Sequence, residues 1–220
     1  MPSREQELYL RSVVLPGTRS AIKAEPREFE DLPAERRSAI EAAARRAGVR
    51  LFQAISLRAQ VLRSVAPFLF SGTEASTLAA ATLFEDRVEA LLVRAGCVGY
   101  ETQAAQLKRL HREGEKATAT PDFLCLAQPV VIQGRACHWV EVKRFYATGL
   151  FEELRDWAPT RKSLAQLAKY VAAFGPGAAV FSLGFSARYA ECAPQGVLLL
   201  DGSPWEGQAE FASLFHGALG

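Results

Sequence analysis

Thr120-Pro121-Asp122-Phe123-Leu124-Cys125-Leu126 and, after a second apolar run, His138-Trp139-Val140-Glu141-Val142-Lys143 are the stretches whose reading decides the fold. Pro121 drives Thr120 toward extended geometry and supports a turn, so Asp122 stands at the mouth of a strand over Phe123–Leu126. Two further β-type runs are Val130–Gln133 and Cys137–Val142, with Gln133-Gly134-Arg135 fitting a tight hairpin turn between them. Residues two apart on a strand share a face. Glu141 and Lys143 therefore project together, with Val142 turned away. An Asp after Pro is ordinarily a turn former, and Glu-x-Lys on an edge is ordinarily a weak solvated ion pair. Two acids and a lysine at the ends of paired strands make a chemical statement that neither motif makes alone. Carboxylates in such a set are hard oxygen ligands for Mg²⁺.

Outward from this pair, the pattern alternates. Upstream, Glu74–Arg94 reads as a long helix ended by Gly96, with Ser71-Gly72-Thr73 as its loop and cap and Leu83, Phe84, Val88, Leu91 and Leu92 as one stripe. Cys97–Thr102 reads as a strand. Downstream, Arg161–Phe174 reads as a helix stopped by Gly175-Pro176-Gly177, then Ala178–Phe185 and Val197–Leu200 as strands, and Glu206–Leu219 as a short terminal helix. In the N-terminal third, Pro33 opens a helix over Ala34–Ala47, Gly48 stops it, and Val49–Val65 is a second helix. Helix, glycine break and helix with arginines is compatible with a helix-turn-helix and equally with any small bundle. The expected class is α/β: a mixed sheet flanked by helices, residues 71–220, behind an all-helical region, residues 1–70.

Composition excludes whole classes. The 220 residues are 49% hydrophobic and 23% charged, which rules out wholesale disorder and fibrous repeats. No apolar run approaches the ~18 residues that span a bilayer, and Met1–Glu7 lacks the apolar core of a secretory leader. The net charge is +2, too mild to announce a nucleic-acid binder. It divides unevenly, however: +4 over residues 1–65 and −2 over residues 66–220. The cysteines Cys97, Cys125, Cys137 and Cys192 are widely spaced, with no C-x-x-C pair, and read as buried thiols of an intracellular protein, nuclear or cytoplasmic in a eukaryote.

Pro121-Asp122, an 18-residue gap and Glu141-Val142-Lys143 resemble the PD-(D/E)XK nuclease superfamily and its restriction-endonuclease-like fold. An acidic residue on the helix before the sheet, here Glu85, matches archaeal Holliday-junction resolvases. Gln166-x-x-x-Tyr170 matches a RecB-type subset. Thr120-Pro121-Asp122, Trp139–Lys143, Phe174-Gly175-Pro176-Gly177-Ala178-Ala179-Val180 and Gly184-Phe185 are more closely similar to the TPD-motif family, which includes the codanin-interacting nuclease. This likeness spans about Ala80–Phe185; the N-terminal third matches no family segment residue by residue. One departure is Val142, a position often Ser in that family.

The resemblance implies a nuclease that hydrolyses phosphodiester bonds in DNA with Mg²⁺, or Mn²⁺ as substitute. It further implies that Asp122, Glu141, the Val142 carbonyl and Glu85 hold the metal, that Lys143 serves the attacking water, and that Gln166 and Tyr170 support the site. Asp86 and Glu89 read as solvent-facing neighbours of Glu85. Arg144, Arg161 and Lys162 are candidate phosphate contacts. Phe151 and Trp157 are a candidate aromatic platform beside the site; Trp139 reads as core. The alternative is a catalytically weak or inactive adaptor on the same fold, binding nucleic acid or a codanin-like protein partner.

Overall fold

A computed structural model describes residues 3–14, 26, 29–65, 74–148 and 158–202. The predicted terminal helix, the Ser71–Thr73 cap and the Phe151 and Trp157 loop lie outside them. The elements in chain order are helices α1 (Arg4–Val14), α2 (Ala34–Arg46), α3 (Leu51–Val65) and α4 (Glu74–Arg94), strand β1 (Tyr100–Thr102) and helix α5 (Gln103–Glu113). Strands β2 (Phe123–Cys125), β3 (Val130–Ile132), β4 (Arg135–Cys137) and β5 (Trp139–Lys143) follow. Helix α6 (Ala158–Phe174), strand β6 (Gly177–Phe181), helix α7 (Ala187–Cys192) and strand β7 (Val197–Asp201) complete the order. No helix among the described residues is long and apolar enough to cross a membrane.

The chain divides into two compact units. One takes the described residues of 1–78, 145–162 and 183–192. Its core gathers Leu10 and Val14 of α1, Ile40, Ala43 and Ala44 of α2, Ala54 and Leu57 of α3, and Tyr146. The positions 40, 43, 44 and 47 recur at helical spacing, and all four side chains are buried. Helix α1 is absent from the sequence reading. It begins with a capping box in which Ser3 Oγ accepts from the Gln6 N–H and Gln6 Oε1 accepts from the Ser3 N–H. Pro33 stands one residue ahead of α2, as its N-cap. The two later segments are held by glutamine amides of α3: Gln60 Nε2 donates to the Tyr146 carbonyl and Gln53 Nε2 to that of Leu183, each at 3.0 Å.

The arginines of this basic unit are largely engaged within it. Arg58 is buried and donates to the Pro26 carbonyl. Arg36 donates to the Val13 carbonyl and Arg37 to that of Glu30. Arg46 lies over the Tyr9 ring at 4.4 Å. The local excess of positive charge thus holds helices and loops in place.

The other unit takes the described residues of 79–144, 163–182 and 193–202. It is a five-stranded mixed sheet in the order β1-β2-β5-β6-β7, antiparallel from β1 to β5 and parallel from β5 to β7. On one face Phe123, Cys125, Val140, Val142, Ala178, Val180 and Leu200 pack against Phe84, Val88, Leu91 and Leu92 of α4. Leu83, expected in that stripe, is 52% exposed: a residue next to Phe84 lies about 100° around the helix. On the opposite face Trp139 meets Tyr170 of α6 edge-on, ring centroids 5.3 Å apart, and its Nε1 donates to the Gly175 carbonyl. A Cβ at Gly177 would stand 2.2 Å from the Trp139 indole, so this close approach requires glycine.

Two segments flanking the β2–β5 ladder differ from the sequence reading. Gln133 (φ 49°) and Gly134 (φ 72°) do form a tight turn, but it joins β3 to β4 in a separate two-stranded sheet. The run Cys137–Val142 breaks at His138, and β5 enters the main sheet between β2 and β6. The second difference is at Cys97–Thr102, of which only Tyr100–Thr102 is strand. Gly96 (φ 79°) closes α4, with the Cys97 N–H reaching back to the Leu92 carbonyl. Thr102 then caps α5, its side chain accepting from the Ala105 N–H.

Candidate active site

Strand register builds the site. Phe123 pairs with Val140 and Leu124 with Trp139 across the antiparallel β2–β5 ladder. One step further, Asp122 falls opposite Glu141, on the face that Trp139 and Lys143 share. Each acid then accepts from a backbone N–H across the ladder. Asp122 Oδ2 accepts from the Val142 N–H at 2.7 Å, and Glu141 Oε2 accepts from the Asp122 N–H at 3.2 Å.

Lys143 lies two residues beyond Glu141 on the same face. Its Nζ is ion-paired with Glu141 Oε1 and donates to Gln166 Oε1 of α6 at 3.0 Å. Gln166 and Tyr170 are one helical turn apart. Gln166 Nε2 donates to the Tyr170 hydroxyl, which donates to the Thr120 carbonyl at 3.1 Å. A closed circuit thus runs from Thr120 through Tyr170, Gln166, Lys143 and Glu141 to Asp122. The α6 face anchors the lysine and the turn together.

Electrostatics follow from burial. Glu141 is 1% exposed. Burial, and then the neighbouring Asp122, push its carboxyl up to about 7, against the opposing pull of Lys143. Burial also raises Asp122, although the Val142 N–H, Lys143 and Glu141 pull the other way. Tyr170 is raised by burial and by Glu141. Two carboxylates share a poorly solvated space in which Lys143 offsets only part of their charge.

Sequence reasoning missed the residues that hold the Thr120–Asp122 turn from its other side. Gln106, 1% exposed, donates both amide hydrogens from Nε2, to the Pro121 carbonyl at 2.8 Å and to the Glu101 carbonyl at 3.1 Å. Gln103 Nε2 donates to the Thr120 carbonyl at 2.9 Å, and the Gln103 N–H to that of Asp122 at 3.0 Å. The signals available were Thr102 as an N-cap and Gly114 as a stop for an amphipathic helix.

The remaining candidates separate. Glu85 is half-buried on α4 and raised by burial, then by Asp122 and Asp86, with Lys143 lowering it. It feels Asp122 without joining a ligand group: among the described residues no three His, Cys, Asp or Glu side chains gather as a metal centre. Asp86 is exposed, as expected. Glu89, expected to face solvent, is half-buried and accepts from the Tyr100 hydroxyl at 2.6 Å. That bond, with burial, pushes the Tyr100 hydroxyl up to about 12. Arg144 is exposed directly after Lys143, and Arg161 and Lys162 are exposed on α6 ahead of Gln166. The four cysteines carry free thiols.

Residues 71–203, more than half of the chain, match the model of a family described as a protein of unknown function with the TPD sequence motif. The chain belongs to this family. In this member of the TPD-motif family, Thr120-Pro121-Asp122 is the turn that both α5 and α6 hold, and the matched residues carry the whole circuit from Thr120 to Tyr170. No curated protein and no solved structure matches the chain.

Proposed function

We propose that this TPD-motif protein is a divalent-metal-dependent nuclease of PD-(D/E)XK type that hydrolyses phosphodiester bonds in DNA. The observation that carries the reading is the β2–β5 register, which sets Asp122 against Glu141 with Lys143 on the same buried face. The donor set fits Mg²⁺ or Mn²⁺: two carboxylates and the Val142 carbonyl, all hard oxygens, with water for the remaining positions. The incompletely offset charge of the acid pair is what a cation would relieve. Bound there, the ion would supply a Lewis acid for a phosphoryl oxygen and lower the pKa of a bound water.

The chain's own residues do the rest. Lys143, held at two points by Glu141 and Gln166, presents a fixed positive charge where charge develops on the phosphate. Tyr170 and Gln166 keep it in place through the Thr120 carbonyl. The test is cleavage of duplex, flap, junction and single-stranded DNA with Mg²⁺ or Mn²⁺. Asp122→Ala abolishes cutting, and Lys143→Ala lowers it by at least ~10²-fold. Wild-type protein that cuts none of these substrates with either ion refutes the reading.

A second reading has one observation in its favour. Glu141 is already satisfied by Lys143 and the Asp122 N–H, and no third acid joins the pair among the described residues. A nuclease-fold adaptor, binding nucleic acid or a codanin-like protein, needs no more than this. Calorimetric titration separates the two: Mg²⁺ or Mn²⁺ binding that disappears in Asp122→Asn supports the nuclease, and heat unchanged by that substitution supports the adaptor.

A further inference from the structure

A groove of about 630 Å³ lies beside the Thr120–Asp122 turn, between the segment Lys116-Ala117-Thr118-Ala119 and the α6 residues Lys169, Ala172 and Ala173. We infer that this groove is a track for the phosphodiester backbone of the DNA strand entering the site, gripped by Lys116 and Lys169; its occupant rests on the nuclease reading above. Three observations carry it. First, its position: Gln166, Lys169, Tyr170 and Ala173 recur at helical spacing on one face of α6. Lys169 therefore stands on the helix face that anchors Lys143, and Ala119 leads directly into Thr120.

Second, its charge: two lysines line the walls and no carboxylate does. Neither lysine makes an ion pair among the described residues. Glu115, exposed just before Lys116, is not in the lining. Third, its donors: no hydrogen bond engages Ala117, Thr118 or Ala119 among the described residues, so their N–H groups are available to phosphate oxygens. The walls are otherwise small side chains, which let a backbone approach closely and give bases nothing to be read by. The grip is therefore electrostatic and independent of sequence.

The experiment is fluorescence anisotropy of a labelled single-stranded DNA oligonucleotide on the full chain in EDTA, across a range of NaCl concentrations. Wild type is compared with Lys116→Ala/Lys169→Ala and with the control Lys108→Ala/Arg112→Ala on exposed positions of α5. Each phosphate contact on a single strand contributes about 0.7 to the slope of log K against log salt. The groove variant should lose about 1.4 from that slope and bind about 25-fold more weakly at ~0.1 M salt, with binding at ~1 M taken as equal. The α5 control should keep the wild-type slope. Charge reversal, Lys116→Glu/Lys169→Glu, should weaken binding further, with circular dichroism unchanged.

Absence of wild-type binding at low salt overturns the track. So does an unchanged slope in the groove variant, or an equal loss in the α5 control. Cleavage is assayed separately with Mg²⁺. Cutting with an unchanged slope refutes the groove and leaves the nuclease standing; a lowered slope without cutting leaves the groove and refutes the nuclease.

Discussion

Gln106→Met should destabilise the sheet unit more than its conservative chemistry implies. Methionine keeps the length of the side chain and its helix propensity, so helix α5 itself is not the casualty. The substitution removes two donors from a site that is 1% exposed. The Pro121 and Glu101 carbonyls, now served at 2.8 and 3.1 Å, are left without that partner. A buried acceptor stripped of its donor costs about 1–3 kcal/mol, so the pair should cost about 2–6 kcal/mol. With a urea m-value of about 2 kcal/mol/M, the midpoint of the transition falls by about 1–3 M. Gln106→Glu should be at least as damaging, because it places a carboxylate against two carbonyl oxygens. Urea denaturation followed by circular dichroism measures both. A midpoint for Gln106→Met within ~0.3 M of wild type would refute the view that this amide holds the turn.

Other substitutions probe the same architecture. Gly177→Ala sets a methyl 2.2 Å from the Trp139 indole; overpacking on that scale should cost about 3 kcal/mol and alter tryptophan fluorescence in the folded state. The Tyr100 hydroxyl, held protonated to about 12 mainly by its bond to Glu89, lies above its ordinary value near 10. Its contribution to stability is complete below pH ~10 and is lost as pH rises from there toward 12. Ultraviolet titration should show a late-ionising fraction, to which buried Tyr170 also contributes, that Tyr100→Phe reduces by one tyrosine; a late fraction unchanged by Tyr100→Phe would sink the assignment. Burial pushes the Cys137 thiol up to about 11, so at pH ~8 iodoacetamide should modify half-exposed Cys192 well before Cys137; mass spectrometry of the native protein gives the order.

Much of the candidate site was legible because its spacing is local. Glu141 and Lys143 share a face through the two-residue period of a strand, and Gln166 and Tyr170 through one helical turn. Both follow from the chain alone. That Asp122 stands opposite Glu141 depends on which strands pair. The hairpin β3–β4 sits between them in sequence and outside their sheet in space, so the register could not be read from the turn. Helix α5 escaped notice because it follows a strand of three residues with no loop between. The amide that matters most in it, Gln106, looks in sequence like any polar helix residue.

Charge shows the same division. The sequence by itself determined that the positive excess lies in residues 1–65, that residues 66–220 carry a net −2, and that Glu141 and Lys143 share one face of a strand. Those are statements about composition and short-range period, which covalent order sets directly. Only the tertiary structure decided what the charges do. Arg36, Arg37, Arg46 and Arg58 hold their own unit together. Glu89 serves a tyrosine, and Lys143 serves Glu141 and Gln166 at once. The physical reason is that a charged side chain's role depends on solvent exposure and on partners from two to tens of residues away, and both are settled only once each unit has folded.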